Sequence, residues 1–168
     1  MSGLGFILIL ILIGFIVLGF AVGLVQTLGS VIGIILATYV AGNLFQSFGL
    51  ALSFFFLGNV NLAQWVIFIV LFMIVNRLFG LLFWVVEVFF KLFSVIPFVK
   101  TFNRVGGAVL GLVEGLLAIS MFLYIGLRFP IGVAMTEAVL NSSVAKGFLA
   151  IAKILSPLLP ESVQMIVF

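Results

Sequence analysis

The sequence predicts an all-α polytopic membrane helix bundle: one domain with four transmembrane helices and amphipathic surface helices beside them. Three observations carry this prediction. Apolar side chains make up 66% of the 168 residues and charged ones 7%, with a mean hydropathy of +1.59, whereas a water-soluble domain covers far more of its exterior with polar groups. No Asp, Glu, Lys, Arg or His precedes Arg77. Apolar runs of about 20 residues, the length at which a helix crosses a hydrocarbon core, recur along the chain.

The first span is expected over 4–25. It lacks a basic leader and a small-residue cleavage site, so it reads as a retained helix. Gln26 and Thr27 make a short polar pause before the second span, 28–47, where Gly29, Gly33, Ala37 and Ala41 recur every four residues. That spacing lines one helical face with small side chains and lets a neighbouring backbone approach closely. The stretch 47–61, broken by Gly49, Gly58, Asn59 and Asn61, reads as an interfacial or partly re-entrant connection.

The third span is expected over 62–82. Beyond it, Trp84, Glu87 and Lys91 continue one polar side and predict an amphipathic helix over 83–96 on the membrane surface, ended by Pro97. Asn103 is placed to cap the fourth span, 104–127, which Arg128-Phe129-Pro130 closes. A second amphipathic helix is predicted over 134–155. It has an apolar stripe of Leu140, Val144, Phe148, Ile151 and Leu155, with Ser142, Lys146 and Lys153 opposite. The basic residues Lys91, Lys100 and Arg104 put the connection between the third and fourth spans in the cytoplasm and both termini outside.

The residue inventory excludes most chemistry. Cysteine, histidine and aspartate are absent, and the four carboxylates, Glu87, Glu114, Glu137 and Glu161, are far apart in sequence. No metal site, no cofactor and no acid–base pair is expected, so the chain reads as a non-enzyme. A net charge of +3 is too small and too scattered for a nucleic-acid partner. The expected partners are the lipid bilayer and either further copies of the chain or other membrane proteins.

The segment NRVGGAVLGLVEGLL (103–117) concentrates what remains. Gly107, Gly111 and Gly115 form a second small-residue face, and Glu114 falls on that same face. An ionised carboxylate facing lipid costs about 3 kcal/mol on insertion scales, so Glu114 is expected to point into the bundle. Arg77 is the basic residue at comparable depth on the third span, and an Arg77–Glu114 pair is the expected arrangement. The competing reading makes Glu114 part of an ion path.

With these residues in view, the chain resembles the colicin V production (CvpA) family of bacterial inner-membrane proteins. The resemblance rests on GFAVGLVQTLGSVIGIILATYVA (19–41), on NRVGGAVLGLVEGLL (103–117) and on NSSVAKGFLAIAKILSPLLP (141–160). It implies a four-helix, multi-pass protein of the bacterial inner membrane linked to colicin V production and to envelope phenotypes, with no established biochemical activity. The positions carried over are Asn103, Arg104, Gly107, Gly111 and Gly115, as a helix-packing motif joined by Gly29 and Gly33. Glu114 stands where the family often carries a basic residue. The function this implies is an accessory role in toxin production or export and in envelope homeostasis, exerted through helix packing and partner contacts. The alternative is a subunit of an oligomeric channel or small-solute transporter.

Overall fold

A computed structural model of the chain describes residues 3–91, 97–129 and 132–161. Six α-helices and no strands are present among them: α1 (Gly3–Val22), α2 (Leu24–Ala51), α3 (Val60–Lys91), α4 (Pro97–Arg128), α5 (Val133–Leu140) and α6 (Ser143–Leu155). The first four are long and apolar enough to cross a membrane. The fold is the all-α bundle that the apolar runs predict, but its elements begin and end for reasons that the hydropathy pattern does not carry.

The first break falls at Gly23, not at Gln26-Thr27. Gly23 has φ 94°, a backbone conformation open to glycine and strained for other residues. Thr27, expected to interrupt the helix, is instead absorbed into it, its hydroxyl donating to the Gly23 carbonyl oxygen at 2.8 Å. The connection after α2 is a single 3-10 turn, Ser53–Phe56, followed by Leu57 and Gly58 at φ 55° and 79°. Phe54, Phe55 and Leu57 are left exposed there.

Two further expectations are corrected. The third helix shows no break near 82: α3 is continuous to Lys91, so the segment read as an amphipathic helix begins as an unbroken extension of it. Residues 92–96, and the side chains of Glu87 and Lys91, lie outside the described residues. Pro97 opens α4, and the end expected for the helix before it falls outside the described residues. A proline in the first turn costs little, because the N–H it lacks would have no intrahelical partner.

The helix expected over 134–155 is two, α5 and α6, which meet at 90°. Ser142 makes the corner, its hydroxyl accepting the Ala145 N–H at 3.3 Å as the cap of α6. The buried face of α6 is Ala145, Phe148, Leu149, Ala152 and Leu155, turned toward α4 and α1, while Lys146 and Lys153 stay exposed.

The small-residue faces set the packing. Gly19 of α1 lies against Gly107 and Gly111 of α4, and Phe15 against Gly111 and Gly115. The falling numbers on α1 meet rising numbers on α4, so the two run antiparallel. On α2, Gly29 receives Phe83, Gly33 receives Asn76 and Phe79, and Gly49 receives Gln64 of the antiparallel α3. Leu24 and Gly106 are neighbours at the start of the α2–α4 contact, and further along Ser30 approaches Glu114, so these two run parallel. The helices therefore stand in the lateral order α1, α4, α2, α3. Although α3 and α4 are consecutive in the chain, α2 lies between them over most of their length.

Candidate functional site

Asn103 and Arg104 do not begin a helix. They lie in the interior of α4, level with the α1–α2 break, and clasp both sides of it. The Asn103 side-chain oxygen accepts the backbone N–H of Leu24 at 3.0 Å across 79 residues, satisfying one of the free donors at the start of α2. Its amide also occupies the space that a Cβ on Gly23 would take. The Arg104 guanidinium carbon stands 5.7 Å from the ring centre of Phe20, the residue of α1 just before the break. The cap expected at the start of the fourth span is thus corrected: Asn103 lies inside α4 and serves the start of α2.

Below this clasp the glycine row seals α1 to α4. A Cβ at Gly107 would meet the Gly19 carbonyl oxygen, one at Gly111 the Phe15 carbonyl oxygen, and one at Gly115 the Phe15 and Leu12 side chains. Backbone atoms cannot swing aside as side chains do, so this contact tolerates no added carbon at the first two positions.

On its other side α4 faces a gap. Because α2 separates α3 from α4, a cavity of about 640 Å³ opens between them, floored by α2 and reached by Phe15 of α1. The rings of Phe72 and Phe122 meet edge to face at 5.0 Å and bring the two walls together at the end nearer the α2–α3 connection. The cavity holds five polar side chains in an otherwise apolar span: Gln26, Ser30, Asn76, Arg77 and Glu114.

Glu114 is half-buried in this cleft. The polar side chains that lie nearest its carboxylate are those of Asn76 and Ser30. Asn76 gets there because Gly33 leaves it room: a Cβ on Gly33 would meet the Asn76 side-chain oxygen. That oxygen is buried without a hydrogen-bond partner. Arg77 is exposed and lines the same cleft. No ion pair joins Arg77 to Glu114 among the described residues. The two charges line one cleft without meeting. Similar depth was legible in the sequence; the separation of α3 from α4 by α2 was not.

The residues that sequence reasoning passed over are therefore Gln26, Ser30 and Asn76. The last two carried a signal: each is a lone polar residue beside a position already singled out, Ser30 next to Gly29 and Asn76 next to Arg77. Among the described residues no cluster of three His, Cys, Asp or Glu side chains forms a metal site.

Compared with known proteins, residues 4–153 match the family model described as colicin V production protein. No curated protein and no solved structure matches the chain.

Proposed function

The chain belongs to the colicin V production protein family, is a multi-pass membrane protein, and we propose that it serves in the bacterial inner membrane as an accessory to toxin production or export and to envelope homeostasis. Its working surface in this reading is the cleft between α3 and α4. The single observation that carries it is the set of Gln26, Ser30, Asn76, Arg77 and Glu114 in one cavity within the span. Polar and ionisable groups at membrane depth are costly, by about 3 kcal/mol for one charge on insertion scales. A bundle held together by glycine contacts has no need of them for packing, so their placement fits an occupant drawn from outside the chain. The reading involves no catalytic step, in keeping with a family not known as enzymes and with a site holding one carboxylate and one guanidinium.

The test is crosslinking in native membranes. A photoreactive residue at Met73 or Leu78, which line the cleft, should give discrete adducts of a protein, a small molecule or one selected lipid headgroup class. The same residue at Leu10, exposed on α1 outside the cleft, should give unselected bulk-lipid background alone. Identical adducts from both positions would contradict the reading. A second reading, a small-solute transporter or channel subunit, is favoured by the volume of the cleft, which falls in the range of ligand pockets, about 300–1,000 Å³. Solute flux in proteoliposomes that is lost in Glu114→Gln would select it.

A further inference from the structure

The cleft presents one positive and one negative group that do not satisfy each other. Arg77 and Glu114 lie on facing walls of the same cavity, unpaired with one another among the described residues. Two neutral side chains, Asn76 and Ser30, lie beside the carboxylate, which has about four lone-pair sites and so keeps acceptor capacity free. The exposed guanidinium of Arg77 offers up to five N–H donors in a planar fork, a geometry that suits carboxylate or phosphate. Opposite charges held apart inside a low-dielectric slab attract a molecule carrying the complementary pair.

We propose that this cleft binds a zwitterionic ligand, its anionic group on Arg77 and its ammonium on Glu114. The inference rests on the reading of the cleft as the working surface and names the class of molecule it takes. A simple anion would leave Glu114 facing like charge, and a simple cation would do the same to Arg77. A neutral apolar molecule would leave both unanswered. The shared chemistry is that of an aminoalkyl phosphate, as a free solute or as the headgroup of an aminophospholipid. The exposed apolar side chains of Met73, Ile74 and Leu78, which line the same cavity, would let an acyl chain leave the cleft toward the bilayer.

The experiment is native mass spectrometry of the full chain in detergent, titrated with phosphatidylethanolamine, with phosphatidylglycerol and with soluble phosphoethanolamine. Phosphatidylglycerol keeps the phosphate and lacks the ammonium, so the wild-type comparison isolates Glu114 without any substitution. A charge-assisted hydrogen bond is worth about 1.5–3 kcal/mol, which sets a preference of about tenfold or more for the ethanolamine lipid. Glu114→Gln should reduce that preference to near unity, and Arg77→Gln should weaken both lipids, with helix content by circular dichroism confirming that each variant is folded. Displacement of the lipid by phosphoethanolamine assigns the ligand to free solute, and lack of displacement assigns it to lipid; both support the proposal. Equal binding of the two lipids by the wild type, or an unchanged preference in Glu114→Gln, overturns it. Retention of neither lipid and no phosphoethanolamine also overturns it, and discrete crosslinks from Met73 would then leave the accessory reading standing.

Discussion

The side-chain oxygen of Asn103 accepts the backbone N–H of Leu24 at 3.0 Å, so one residue inside α4 caps a different helix, α2, at the break made by Gly23. The bond is what a motif of one polar residue before a glycine row accomplishes here. It fixes the level at which α4 slides along the α1–α2 hairpin, and hence which glycines meet which backbone atoms.

Removing this cap should be measurable. Asn103→Ala loses the acceptor and should lower stability by about 0.5–2 kcal/mol, the usual range for cap deletions. Asn103→Asp keeps an acceptor beside the positive end of α2 and should lose less. Thermal unfolding of the purified protein in detergent reads both. Equal losses would show that packing against Gly23, and not the hydrogen bond, is what matters.

Glycine substitutions should divide by what the new carbon meets. Gly107→Ala drives a Cβ into the Gly19 carbonyl and the Gly23 backbone and should be strongly destabilising. Gly147, within α6, has nothing within 4 Å of a Cβ and an ordinary helical conformation. Gly147→Ala should therefore stabilise by about 0.4–1 kcal/mol. Unfolding in the same detergent checks the pair.

The count of four spans and the packing faces of the helices were legible because hydropathy and small-residue spacing report them directly. The partners of those faces were not. Gly29 and Gly33 look much like Gly107 and Gly111 in sequence, yet the first pair receives side chains of α3 and the second the backbone of α1. Spacing shows that a face is narrow and is silent on what fills it. Asn103 was misread for a related reason: a cap is expected to act on the nearest helix start, and here the start it serves is 79 residues away. The division of 134–155 into α5 and α6 was also hidden, because the apolar stripe runs through the corner at Ser142, whose hydroxyl caps the start of α6.

Double-mutant cycles should rank the neighbours of Glu114. The Glu114→Gln and Asn76→Ala pair should show a coupling of about 0.6–1.7 kcal/mol, the range found for side-chain hydrogen bonds in membrane bundles. The Glu114→Gln and Arg77→Gln pair should be close to additive, within about 0.5 kcal/mol. The reverse order would restore the ion pair that the sequence suggested.

Orientation follows from the basic residues at the α3–α4 end, Lys91, Lys100 and Arg104, which should face the cytoplasm. The chain has no native cysteine, so single cysteines label without background. An impermeant thiol reagent applied to intact cells should modify Asn59→Cys, exposed beside the α2–α3 turn, and spare Thr101→Cys, exposed near the start of α4. Labelling of Thr101→Cys alone would invert the protein.

Helices α3 and α4 stand apart over α2 and leave a cleft lined by Arg77 and Glu114. Oxidative crosslinking of paired cysteines in native membranes tests this most directly, because a disulfide forms only when Cα atoms come within about 4.4–6.8 Å. A Cβ at Gly80 would lie 3.6 Å from the Ser30 hydroxyl oxygen, so the Ser30→Cys/Gly80→Cys chain should oxidise rapidly to an internal disulfide. The Arg77→Cys/Glu114→Cys chain should resist oxidation and be joined only by a longer bifunctional thiol reagent. Rapid disulfide formation by the Arg77→Cys/Glu114→Cys pair would mean that α3 and α4 are in contact and that no cleft exists.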